Sequence, residues 1–194
     1  IALVPGNNIG YFSPFEQHLR YGGEMGAHWT ACGAGRFVIG IEADGRVKGC
    51  PSLPTEAYVG GSVRETPLRD IVTERPALTH IGRRTRADLW GFCGECTYAD
   101  VCAAGCTWTA HSVMGRPGNN PYCSHRALTR AAAGLAEHVV QVAPAPGRPF
   151  DIGRFDLVER PWDASGGDGF WWGLPLERIL SAQPDEGSVR SSAS

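Results

Sequence analysis

Four of the chain's seven cysteines fall within fourteen residues. They are Cys93, Cys96, Cys102 and Cys106, spaced C-x2-C-x5-C-x3-C, and the other three are Cys32, Cys50 and Cys123. Thiols this dense react with oxidants or with one another unless something holds them. Disulfides, zinc and iron–sulfur clusters are the candidates. An odd number of cysteines cannot all pair, and no basic-then-apolar leader opens the sequence, which speaks against disulfides. Zinc ribbons usually show two separated C-x2-C knuckles; here there is one, followed by the x5 and x3 intervals. Zinc on four of the thiols stays open on spacing alone. Iron–sulfur ligation fits the arithmetic better, because seven thiols divide as four plus three. That division gives one fully ligated cluster and a second with an open or non-cysteine position. Two-cluster ferredoxins also use one dense run for both clusters, but with the spacing C-x2-C-x2-C-x3-C-P. The x5 interval therefore belongs to a different scaffold.

The elements that must position these thiols are short. Arg36–Glu42 is apolar and β-branched, Asp44-Gly45 is a turn signal, and Arg46-Val47-Lys48 returns towards Cys50. This predicts a β-hairpin over 36–49 with Cys32 and Cys50 close together at its feet. Pro51-Ser52-Leu53-Pro54 cannot continue a central strand, and 55–65 reads as a loop or short extended piece. Thr66-Pro67 opens a short helix carrying Leu68, Ile71 and Val72 on one face, and a second short helix is expected within 77–90. Ser13-Pro14-Phe15-Glu16 has the form of a helix start after a short strand and turn. After the turn-rich GRPGNNP, Ser124 is expected to cap the longest helix, running to about Val142, with Leu128, Ala131, Ala132, Leu135 and Val139 on one side. Ala143–Pro149 is a linker by composition. The tail carries Trp162, Trp171 and Trp172, read as pinning the tail to the body, and ends in a Ser-rich SVRSSAS.

Composition agrees with a loop-rich metal scaffold. Gly 26 and Pro 14 make up about a fifth of 194 residues, while 42% hydrophobic content suffices for a core. The net charge is −2 with scattered basic residues, so nucleic acid has no electrostatic footprint here. No apolar run approaches the ~18 residues of a membrane span. The expected class is α+β and loop-rich: a short β-hairpin, then short helices around two iron–sulfur clusters, then a longer C-terminal helix.

The whole pattern, Cys32, Gly45, Cys50, Cys93, Cys96, Cys102, Cys106 and Cys123, uses every cysteine in the chain. It resembles the seven-cysteine SPASM domain found at the C-terminus of many radical S-adenosylmethionine (SAM) enzymes, over about residues 28–126. The stretches NNIGYFSPFE and GRVKGCPSLPT also resemble a subgroup of these enzymes. The resemblance implies two auxiliary 4Fe-4S clusters. Cys93, Cys96, Cys102 and Cys123 would hold one completely; Cys32, Cys50 and Cys106 would hold the other. No cysteine lies between Cys32 and Cys50 to complete the second, so a substrate, solvent or a non-cysteine group would fill it. His28, His80, His111 and His125 are the histidines considered for that position. Gly33, Gly49, Gly94 and Gly105 flank ligands and would admit close backbone approach.

The C-x3-C-x2-C loop of a radical SAM core is missing from residues 1–194. SAM is therefore expected only through an N-terminal core supplied in cis or in trans, and this chain alone holds no catalytic residues. Residues 1–27 read as the end of a catalytic barrel or a linker, 28–142 as the iron–sulfur domain and 143–194 as a Pro/Gly-rich tail. By resemblance, the chain is expected to be the C-terminal part of a radical SAM oxidoreductase or maturase that modifies a peptide or protein substrate in the cytoplasm. Its expected roles are electron relay and substrate placement. The alternative is a stand-alone metal-stabilised peptide-binding module or a small electron carrier.

Overall fold

Asp44 turns the chain back on itself, its carboxylate accepting the Arg46 backbone N–H at 3.0 Å. The strands that flank it, in the computed structural model, are β1 (Gly40–Ile41) and β2 (Arg46–Lys48), antiparallel with Gly40 opposite Lys48 and Ile41 opposite Val47. The structure describes residues 11–16, 28–74, 78 and 83–162. His80, Trp171, Trp172, the strand expected before Tyr11 and the Ser-rich end lie outside these. The hairpin is shorter than expected because Arg36, Phe37 and Val38 all donate to the Gly33 carbonyl, closing a turn that leaves Phe37 and Val38 exposed.

The piece expected as a loop or short extended piece over 55–65 holds a helix and a strand. Helix α1 (Thr55–Tyr58) leads into β3 (Val59–Ser62), which pairs with the free edge of β2 to give the order β1-β2-β3. Central Val47 is fully buried against Ile71 and Leu78. Ile71 comes from α2 (Leu68–Glu74), the expected short helix, although its Leu68 faces outward. Lys48 is fully buried, and its ammonium is satisfied by the Leu53 carbonyl at 2.6 Å, Thr55 Oγ1 at 3.2 Å and Glu42 at 2.7 Å. These bonds tie the hairpin to the turn that follows Cys50. Lys48 also holds the Glu42 carboxyl below its ordinary range, chiefly by hydrogen bonding and with help from Thr55.

Within the region expected to hold a second helix, Leu78 is helical and Arg86–Asp88 form a 3-10 turn boxed by Thr85 and Asp88. The cysteine run then folds as α3 (Phe92–Glu95), α4 (Ala99–Cys102) and α5 (Thr107–Met114). Helix α6 spans Ser124–Ala132 with Cys123, not Ser124, at the N-cap.

Helix α6 stops ten residues short of the expected end. Gly134 turns the chain at φ +75°, and residues 135–143 become strand β4 (Leu135–Ala143). It pairs antiparallel with β5 (Arg154–Pro161), which arises within the stretch read as a tail. Val139, Val140 and Val142 favour a pleated strand over a helix, and a partner strand is available. Trp162 donates its backbone N–H to the Gly134 carbonyl at 2.8 Å and closes the ribbon. Arg126 on α6 fastens the ribbon to the body: it is 3% exposed and pairs with Glu137 on β4, itself 9% exposed. The fold is α+β with short strands, several short helices and many loops.

Candidate iron–sulfur site

All seven cysteines are free thiols. They separate into two groups. Cys93, Cys96, Cys102 and Cys123 line one pocket together with Tyr11, Phe12, Phe92, Tyr98 and His125. These four thiols act on one another electrostatically: Cys102 feels Cys123, Cys93 and Cys96, and Cys123 feels Cys93 and Cys96. Cys32 instead feels Cys106 and Cys50. Cys32, Cys50 and Tyr58 pack on Ala34 and Leu53.

Short helices aim the first group. Cys93 sits in α3 and Cys102 at the end of α4, while Cys123 caps α6. The backbone N–H of Asn120 points at Cys93 Sγ at 3.4 Å and that of Tyr98 at Cys96 Sγ at 3.3 Å. Such N–H···S bonds favour the thiolate and tune what it binds. Burial pushes the Cys102 thiol far up, and pushes Cys123 from 9.0 to about 11, partly offset by the backbone N–H of Arg126. Arg126 also braces the site through its side chain, donating to Asn119 Oδ1 at 2.7 Å and to the Asn120 carbonyl at 3.2 Å. Aromatic rings close the pocket: Phe12 stacks on Tyr98 at 4.1 Å between centroids, and Tyr98 meets His125 edge-on at 4.9 Å.

The second group is bordered by polar residues. Burial raises the Cys32 thiol, opposed by the backbone N–H groups of Ala34 and Thr107. Tyr58, which packs on the same Ala34–Leu53 cluster as Cys32 and Cys50, is hydrogen-bonded through its hydroxyl to His111 Nδ1 at 2.9 Å. Burial raises Tyr58 and lowers His111.

Of the four histidines considered for the open position, His111 stands in this second neighbourhood. His125 faces the four-thiol pocket, and His28 is exposed and bonds the Trp29 carbonyl at 2.9 Å. His80 lies outside the described residues.

Between the groups runs Ala103-Ala104-Gly105, three consecutive left-handed residues joining Cys102 to Cys106 (φ 48°, 61° and 61°). Two buried side chains grip this strap. The Tyr11 hydroxyl accepts the Cys106 N–H at 2.9 Å, while the Tyr11 carbonyl accepts the His125 N–H at 3.0 Å. A Cβ on Gly105 would lie 2.3 Å from the Tyr11 ring, so this glycine makes room for tyrosine. Arg84 donates to the Ala103 carbonyl at 3.0 Å and to Thr107 Oγ1 at 2.7 Å.

Tyr11, Tyr58, Arg84 and Arg126 escaped the sequence reading because none stands within a cysteine motif. Only Tyr11 had a signal, its place in NNIGYFSPFE.

The thiol chemistry fits an iron–sulfur group. Four thiols, no other metal-binding side chain except His125, and N–H groups directed at sulfur surround one pocket. Among the described residues, no three His, Cys, Asp or Glu are grouped tightly enough to hold a single ion. A larger cleft between the end of α5 and the β4–β5 connection contains none of the thiols. No helix among the described residues is long and apolar enough to cross a membrane.

Comparison with known proteins agrees with this chemistry. A pre-heme d1 synthase from Dinoroseobacter shibae is 32% identical over 130 residues, 66% of this chain. The chain spans 30% of the length of that curated relative. Residues 32–97, which include Cys32, Cys50, Cys93 and Cys96, match the family model of SPASM, described as an iron–sulfur cluster-binding domain. Through residues 32–97 the chain carries a SPASM iron–sulfur cluster-binding domain.

Proposed function

We propose that this chain is the auxiliary iron–sulfur domain of a radical SAM enzyme. Cys93, Cys96, Cys102 and Cys123 hold one 4Fe-4S cluster, and Cys32, Cys50 and Cys106 hold a second with one position left for another ligand. The observation that carries this reading is the separation of seven free thiols into a four and a three. A bound cluster supplies one-electron chemistry. The chain's own residues do the rest. N–H groups of Tyr98 and Asn120 favour thiolate at Cys96 and Cys93. Phe12, Tyr98 and Phe92 wall the four-thiol pocket, and the three-residue strap from Cys102 to Cys106 joins the two sites for electron relay. The C-x2-C-x5-C-x3-C run lacks the two separated C-x2-C knuckles of a zinc ribbon and suits a multi-iron group better.

The iron–sulfur domain is read as residues 28–142, with Tyr11 and Phe12 adding to its wall. SAM enters through a radical SAM core acting in cis or in trans. The resemblance points to a peptide or protein substrate, and the domain helps to orient it. The relative's name favours a second reading, in which the substrate is a haem d1 precursor. The reducing cytoplasm, where free thiols persist, is the compartment that suits this site. The competing class is a stand-alone metal-stabilised peptide-binding module, or a small electron carrier.

Anaerobic reconstitution tests the reading through iron, sulfide and zinc counts and EPR of the reduced sample. About eight irons and eight sulfides per chain, with two cluster signals, is the expected result. Zinc without inorganic sulfide would overturn electron relay in favour of the structural module.

A further inference from the structure

Arg84 is 8% exposed and lies where the two thiol groups meet. Its two terminal hydrogen bonds end on neutral oxygens, the Ala103 carbonyl and Thr107 Oγ1. Both acceptors belong to the connection between the groups: Ala103 follows Cys102 of one, and Thr107 follows Cys106 of the other. The Thr107 N–H in turn faces Cys32. The remaining Arg84 Nε–H is buried with no hydrogen-bond partner. A buried cationic donor left this way is costly unless nearby negative charge offsets it. Asp88 acts on Arg84, but its carboxylate is engaged with the Thr85 N–H and hydroxyl at 2.8 and 3.0 Å. Cys32 of one group and Cys93 of the other both act on Arg84.

We propose that Arg84 is the shared counter-charge of the two iron–sulfur sites, a buried cation fixed to the strap between them that raises both reduction potentials together. The inference rests on the two-cluster reading above. One-electron reduction at either site adds one negative charge and breaks no bond, so a fixed guanidinium favours the reduced state of each. Arginine suits the position because its planar fork reaches Ala103 and Thr107 at once and stays charged when buried. Neither site needs Arg84 as a ligand, so it is a positioning and tuning residue.

The test compares the chain with R84K and R84Q, each reconstituted anaerobically. Iron and sulfide are counted first, and each sample is then titrated with redox mediators and followed by EPR. R84Q should keep the wild-type iron count and lower both potentials. The expected shift is roughly tenfold in each one-electron equilibrium, ~59 mV. R84K should stay near wild type. A shift at one site only, no shift, or an equal fall in R84K would overturn the proposal. If R84Q does not retain iron, thermal melts decide. Apo R84Q that melts with apo wild type supports a counter-charge needed only by the loaded sites; apo R84Q that melts clearly below apo wild type makes Arg84 merely structural and overturns it. Wild-type chain that takes up no iron and sulfide would instead sink the two-cluster reading itself.

Discussion

The two thiol groups are built from the same residue type and enclosed differently. The four-thiol pocket is walled by Tyr11, Phe12, Phe92 and Tyr98, and its thiols meet backbone N–H groups from 98, 120 and 126. The three-thiol group lies beside the Tyr58–His111 pair and draws its members from two distant stretches, 32–50 and 106. One group gathers four thiols behind aromatic rings, and the other gathers three with polar groups at hand. The contrast teaches that one residue type can be given an aromatic wall or polar neighbours by whatever the chain packs against it.

The comparison breaks most directly at the cysteines. Cys102→Ser should remove the four-thiol cluster, leaving about half the iron and sulfide and one EPR signal. Cys50→Ser should do the converse. Loss of all iron in both variants would mean that the groups are one cooperative site.

Arg126→Met comes next. It strips a buried partner from Glu137 and releases Asn119 and Asn120, at a cost of about 3–5 kcal/mol by denaturant melt of the apo chain. Iron should be lost from the four-thiol site before the other, because Asn120 donates to Cys93.

Alkaline pH sharpens the same contrast without mutation. Burial raises the folded Cys102 and Cys123 thiols above the ordinary 9.0, Cys123 to about 11. The folded apo chain therefore holds protons that the unfolded chain has released. That stability is complete below about pH 9 and falls as pH rises towards the folded values. Melts of apo chain should show the decline above pH 9, and loaded chain should not, since its thiolates are already deprotonated.

Tyr58→Phe is the smallest expected effect. It removes the bond to His111 and about 1 kcal/mol. The EPR signal of the three-thiol site should change shape while the other stays as it is. A change in the four-thiol signal alone would reverse the assignment of Tyr58 to the open site.

Much of the thiol region was legible in the sequence, because ligand spacing is local information. The C-x2-C-x5-C-x3-C run and the turn at Asp44-Gly45 are written in neighbouring residues. The fold class followed from the same signals. The helix after Cys123 was overextended for a physical reason: Leu135 and Val139 fit helical spacing and strand alternation about equally, and the partner strand that decides between them lies beyond a ten-residue loop, at Arg154–Pro161. Strand β3 stayed open between a loop and a short extended piece, since Val59-Gly60-Gly61-Ser62 has little strand propensity and is held by the open edge of β2.

What the sequence by itself determined is the chemistry: seven thiols, their spacing, and an odd count that cannot all pair. What only the tertiary structure decided is which buried charges and rings stand around them. Tyr11 reaches Cys106 across 95 positions, and Arg84 reaches Thr107 across 23. Ligand types are fixed by covalent order, whereas the field and solvent access at a metal site are set by whatever the folded chain packs against it.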